Sequence, residues 1–118
     1  IRLFSGADEV VCQAAVSGAV GAIGTFYNLW GPSVQRAREA FVGGDFPAER
    51  DFMAVFQRAL AEILASRSVF TFLQSAMRQK YGIEVGRPLP PLGARDKAWD
   101  EAKVDALVGA VDAAAPDS

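Results

Sequence analysis

Two short apolar segments, Ile1-Arg2-Leu3-Phe4 and Val20-Gly21-Ala22-Ile23-Gly24, lie either side of one helical stretch, all within about 25 residues. Strand, helix and strand at that separation form a βαβ unit, with parallel strands and a right-handed crossover. This constrains the fold more than anything else in the chain, because two parallel strands need more sheet beside them and cover on both faces. The first segment begins at residue 1, and residue 1 is Ile rather than Met. The expectation is a piece of a longer chain, with the rest of a sheet or barrel upstream.

The 118 residues suit one domain-sized unit. Asp8 opens the crossover helix, predicted to run to Val16 and to stop at Gly18; its carboxylate suits the positive end of a helix. After Gly24 the helical period takes over. Gly31-Pro32 is predicted to start a helix with Val34, Ala37 and Phe41 on one face, ended by Gly43-Gly44. Asp45 caps the next, with Pro47 in its first turn and Phe52, Phe56, Leu60 and Ile63 recurring to about Ser66. Ser68 caps a third, with Phe70, Leu73, Met77 and Tyr81 aligned and Gly82 stopping it. Gly86 to Gly93, rich in proline, is an extended crossing segment. A last amphipathic helix is predicted from about Asp96 to Val111, followed by a loose tail over Ala113–Ser118.

Several function classes are excluded. Histidine is absent, which removes histidine-dependent triads, dyads and zinc motifs. Net charge is −2 with no basic stripe, so no nucleic-acid partner is expected. The longest mostly apolar run, Val10–Ile23, is broken by Gln13, Ser17, Gly18 and Gly21, so no membrane span is expected. A single cysteine, Cys12, forbids an internal disulfide and suits a reducing, cytoplasmic setting. No metal or cofactor is called for.

In parallel α/β folds the ligand sits at the carboxyl ends of the strands. Two segments meet that rule: Ser5-Gly6-Ala7-Asp8-Glu9 after the first strand, and Gly24-Thr25-Phe26-Tyr27-Asn28 after the second. A βαβ crossover brings both to one edge. Asp8, Glu9 and Thr25 are the candidate site side chains, with Tyr27 and Asn28 beside them, and Gly6 and Gly24 let a ligand approach the backbone. Carboxylates next to a hydroxyl suit a neutral, hydroxyl-rich ligand and repel an anion. The competing reading is that Asp8 and Glu9 only match the charge of a helix start. Cys12, Trp30 and Trp99 read as packing, Arg87 as pinning a loop, and Lys80, Lys97 and Lys103 as solvated.

At these same segments the chain resembles a known family. Phe4-Ser5-Gly6-Ala7-Asp8-Glu9 and Gly18 to Asn28 are similar to the N-acetylneuraminate lyase branch of the dihydrodipicolinate synthase family. Glu39-Ala40-Phe41, Gly44-Asp45-Phe46, Gly82-Ile83 and Arg87-Pro88-Leu89-Pro90 fit as well. The resemblance implies an α/β fold, the C-terminal part of a (β/α)₈ TIM barrel. Residues 1–44 would be its last two β/α units, strands seven and eight, and residues 45–118 a C-terminal helical extension.

The implied chemistry is class I aldol cleavage. A lysine on strand six forms a Schiff base with a 2-keto acid, and a tyrosine on strand five relays the proton. Both would lie upstream of Ile1, so residues 1–118 supply no catalytic residue. Gly6, Asp8, Glu9 and Thr25 resemble the positions that hold the polyhydroxyl part of a sugar acid. The expected partners are a small-molecule sugar acid or 2-keto acid, and further copies of the chain in a homotetramer. The alternatives are another 2-keto-acid aldolase, similar to dihydrodipicolinate synthase, and a non-catalytic helical interaction module.

Overall fold

In the computed structural model, which describes residues 1–117, β1 (Phe4–Ser5) pairs in parallel with β2 (Gly21–Ala22). Phe4 stands opposite Gly21 and Ser5 opposite Ala22. Flanking bonds from the Val20 amide to the Leu3 carbonyl (2.9 Å) and from the Ile23 amide to the Ser5 carbonyl (2.8 Å) extend the ladder at both ends. The strands are shorter than the periodicity predicts, but their direction and register make the expected βαβ unit. The crossover is one 3₁₀ turn, Asp8–Val10, running into α1 (Val11–Val16). Ile1, Leu3, Phe4, Val20 and Ile23 are exposed apolar residues around this two-stranded sheet.

Four helices follow: α2 (Tyr27–Val42), α3 (Phe46–Ala65), α4 (Val69–Tyr81) and α5 (Glu101–Ala114). Helix α2 begins four residues before the predicted Gly31-Pro32 start. It breaks at Trp30 (φ −118°, ψ 18°), and the main body resumes at Gly31. Proline accounts for the break: Pro32 has no N–H to give to the Asn28 carbonyl, and its ring crowds that turn. Asp45 caps α3 as predicted, accepting from the Ala48 amide at 3.3 Å.

Helix α4 departs from its predicted packing. Phe72, Ser75 and Ala76 are buried, whereas Phe70, Leu73 and Met77 are only partly covered and Tyr81 is exposed. Apolar residues wrap more than one side of α4, so spacing alone does not choose the inward face. Phe72 decides it, lying 6.1 Å from the Trp30 ring and 5.2 Å from the Trp99 ring. Ser68 precedes α4 but makes no cap bond to it. Its hydroxyl instead accepts from the Lys97 amide at 2.8 Å. The cap comes from a distance: the Asp96 carboxylate accepts from the Phe70 and Thr71 amides at 2.9 and 3.1 Å. Asp96 is thus not the start of the last helix; Asp100 caps α5, accepting from the Ala102 amide at 3.3 Å. Gly82 ends α4 in the left-handed region (φ 67°), where glycine carries no steric penalty.

One apolar core joins these parts. Val11 and Cys12 from α1 pack with Leu29, Trp30 and Ala37 of α2, Phe52, Phe56, Leu60 and Ile63 of α3, Phe72 of α4, and Val104, Val108 and Val111 of α5. The Trp30 indole is the hub, with Phe26, Phe56 and Phe72 rings about 6 Å from it. The segment from Gly86 to Gly93 forms neither helix nor strand, as expected, but it is extended only to about Leu89 and then turns from Pro90, with the Leu92 amide bonded to the Leu89 carbonyl at 3.1 Å. The tail is held rather than loose, since Pro116 accepts from Arg36 Nε at 2.9 Å; Ser118 lies outside the described residues. Among the described residues no helix is long and apolar enough to cross a membrane.

Candidate functional site

Parallel strands deliver the two following loops to the same end of the sheet. A single hydrogen bond joins those loops there: the Asp8 carboxylate accepts the Phe26 backbone N–H at 2.8 Å. Asp8 is only 5% exposed, and burial pushes its carboxyl above the ordinary value of 3.8, against the lowering effect of the Phe26 bond. Glycine at position 24 makes this possible, because a Cβ there would collide with the Asp8 carboxylate. Asp8 therefore ties the two loops together from beneath, instead of capping its own helix.

Glu9 and Thr25 are exposed on either side of that tie, and Gly6 is exposed with open space above its backbone. The Glu9 carbonyl accepts from Gln57 Nε2 at 2.6 Å, anchoring this loop to α3. The Thr25 carbonyl accepts from the Asn28 side chain at 3.0 Å, folding the second loop into a turn before α2. Thr25 and Asn28 also form one end of a groove of about 300 Å³. Its other walls are Phe70, Leu73, Gln74 and Met77 of α4 and the crossing segment from Val85 to Pro88. Gly6, Asp8 and Glu9 do not line this groove.

Tyr27 turns away from Thr25. It lines a separate crevice with Phe4, Gly21 and Arg38, and its hydroxyl is buried without a hydrogen-bond partner among the described residues. Burial, and then the charges of Asp8 and Glu9, push its hydroxyl well above the ordinary tyrosine range. Cys12 is 1% exposed; burial, reinforced by Glu49, pushes its thiol up to about 12, so it packs as an inert residue.

The residues read from the sequence thus fall into two groups. Asp8, Glu9, Gly6 and Thr25 gather at one end of the sheet, whereas Tyr27 and Cys12 face the interior. The α4 walls of the groove are not among the residues that the sequence marks as candidates. Phe70, Leu73 and Met77 are the face that helical spacing picks out, and that spacing reads as core. Lys80, expected to be solvated, has a side chain only 20% exposed that pairs with Asp112 at 2.8 Å. Lys103, by contrast, is half exposed and pairs with Glu62 at 2.5 Å.

Over residues 1–110 the chain matches the dihydrodipicolinate synthetase family. It is 30% identical over 105 residues to the N-acetylneuraminate lyase of Homo sapiens, covering 86% of this chain and 33% of that protein. It is 30% identical over 112 residues to the N-acetylneuraminate lyase of Mus musculus, covering 93% of this chain and 34% of that protein. The chain spans about one third of the length of these relatives. No solved structure matches it. With nearly the whole chain matched, including both strand-end loops and the helices that buttress them, the chain belongs to the dihydrodipicolinate synthetase family.

Proposed function

We propose that this chain carries the sugar-binding rim of a pyruvate-dependent aldolase, and that the full protein is an N-acetylneuraminate lyase cleaving a sialic acid to pyruvate and N-acetylmannosamine. The observation that carries this reading is the Asp8–Phe26 bond. It locks together two loops at the carboxyl ends of parallel strands and leaves Gly6, Glu9 and Thr25 open to a ligand. In this reading Phe4–Ser5 and Gly21–Ala22 belong to strands seven and eight of a (β/α)₈ barrel. Residues 1–44 are its last two units and residues 45–118 a helical extension packed behind them. The exposed apolar residues Leu3, Phe4, Val20 and Ile23 support further sheet on either side.

The chemistry of the rim suits a polyol. A carboxylate at Glu9 accepts bonds from sugar hydroxyls, the Thr25 hydroxyl both donates and accepts, and Gly6 lets the ligand reach the backbone. Asp8 uses one oxygen on Phe26 and keeps acceptor capacity on the other. The groove beside Thr25 offers room for the distal end of the ligand. The Schiff-base lysine and the proton-relaying tyrosine belong to other parts of the barrel, so the rim holds and orients while the bond cleavage happens elsewhere. Assembly as a cytoplasmic homotetramer goes with this reading.

The test is made on the natural full-length chain. Borohydride with pyruvate is expected to trap a lysine adduct outside residues 1–118, and N-acetylneuraminate is expected to be cleaved. Thr25→Val and Glu9→Gln should each raise KM for the sugar acid about tenfold, near the worth of one hydrogen bond to a charged or neutral partner, with pyruvate trapping unchanged. Turnover by residues 1–118 alone, with an adduct on Lys80, Lys97 or Lys103, would refute the assignment. Trapping without sugar-acid cleavage would favour another 2-keto-acid aldolase.

A further inference from the structure

Lys80 and Tyr81, at the end of α4, both donate to one backbone atom. Lys80 Nζ reaches the Leu29 carbonyl at 3.0 Å, and the Tyr81 hydroxyl reaches the same carbonyl at 2.8 Å. The lysine charge is balanced by the Asp112 carboxylate of α5 at 2.8 Å. Asp112 is in turn held by the Ser33 hydroxyl of α2 at 2.9 Å. Two side chains of α4 therefore grip the Leu29 carbonyl, just before the break in α2 at Trp30, while α5 and α2 hold the lysine in place through Asp112.

That carbonyl closes the turn that follows Thr25, a turn whose Asn28 bonds back to the Thr25 carbonyl. Upstream, the Phe26 amide is held by Asp8. Downstream, the Leu29 and Trp30 amides bond back to the Phe26 carbonyl at 3.0 and 2.8 Å. Only Tyr27 and Asn28 separate the two anchored residues, so the turn has little freedom once both ends are held. The break beside Pro32 denies the Asn28 carbonyl its usual helical donor, which weakens the first turn of α2 as a support of its own. The helical block supplies the missing rigidity through Lys80 and Tyr81.

We infer that Lys80 and Tyr81 are positioning residues that set the placement of Thr25 and Asn28, so that the C-terminal helices control affinity for the hydroxyl-bearing end of the ligand but not for its 2-keto-acid end. This rests on the function proposed above. A residue acting this way moves substrate affinity without moving the chemical step.

The experiment uses the natural full-length chain with Lys80→Met, Lys80→Arg and Tyr81→Phe. For Lys80→Met, KM for the sugar acid should rise about tenfold with kcat within about twofold and pyruvate trapping unchanged. Lys80→Arg should recover most of the loss, and Tyr81→Phe should show a smaller rise of the same kind. Amide hydrogen exchange over Thr25–Trp30 should quicken in Lys80→Met while that of α3 stays slow. An unchanged KM overturns the inference. So does a fall of kcat and pyruvate trapping in step with thermal stability, which is the mark of a purely structural role. If the wild-type chain handles no sugar acid, the proposed function fails, and exchange over Thr25–Trp30 still decides the positioning role: wild-type rates in Lys80→Met overturn it.

Discussion

The Asp8 carboxylate accepts the Phe26 backbone N–H at 2.8 Å across eighteen residues of sequence. A buried carboxylate is costly unless its oxygens are used, and a backbone amide at the mouth of a helix needs an acceptor. Each group meets the other's need, and together they align two loops that no strand hydrogen bond reaches.

Replacing Asp8 with Asn separates the bond from the charge. Burial holds the Asp8 carboxyl above its ordinary 3.8, so the native state binds this proton more tightly than the unfolded chain does. The linked stabilisation is fully present below 3.8 and is lost as pH rises through the folded value. Asp8→Asn keeps an acceptor for Phe26 and abolishes that slope. Urea melts from about pH 4 to 7 should show wild-type stability falling relative to the variant as pH rises. Parallel pH profiles would show that the carboxyl is not the source.

Gly24→Ala should act through the same carboxylate. The new methyl would occupy the space of the Asp8 side chain, so the variant must displace it or shift the loop. A loss of about 1–3 kcal/mol is expected, as for other overpacked sites. In an Asp8→Ala background the same substitution should cost far less. A double-mutant cycle reads this directly, and additive effects would show that the two positions do not meet.

Asp96→Ala should destabilise α4, although Asp96 lies well outside that helix. Its carboxylate accepts from two amides of the first turn, Phe70 and Thr71. The expected cost is about 0.5–2 kcal/mol, that of a lost N-cap. Asp100→Ala, which removes a longer, exposed bond at the start of α5, should cost less. Denaturant midpoints of the two variants give the comparison, and equal losses would argue against a tertiary cap.

Much of the site could be read from residue order because it depends on local rules. Gly6 to Glu9 and Gly24 to Thr25 follow strand segments, and a parallel βαβ connection sends both to one end. The Asp45 cap and the Gly82 stop are local as well. The position of Asp8 is legible in the sequence, but its use is not. A helix-start charge and a buried tie to Phe26 look the same in sequence, and only the position of Gly24 against the carboxylate separates them. Lys80 looks solvated because it lies on a helix beside other polar residues; its partner, Asp112, is thirty-two residues away.

Residue order by itself determined the parallel pair, the helical block behind it and the two loops facing one end, since glycine, proline and helical period act over a few residues. Tertiary packing alone decided which side of α4 meets the core, that Asp96 serves α4 rather than α5, and that Lys80 grips Leu29. Those choices turn on which distant groups a buried carbonyl, amide or ring finally touches, and no local spacing encodes that.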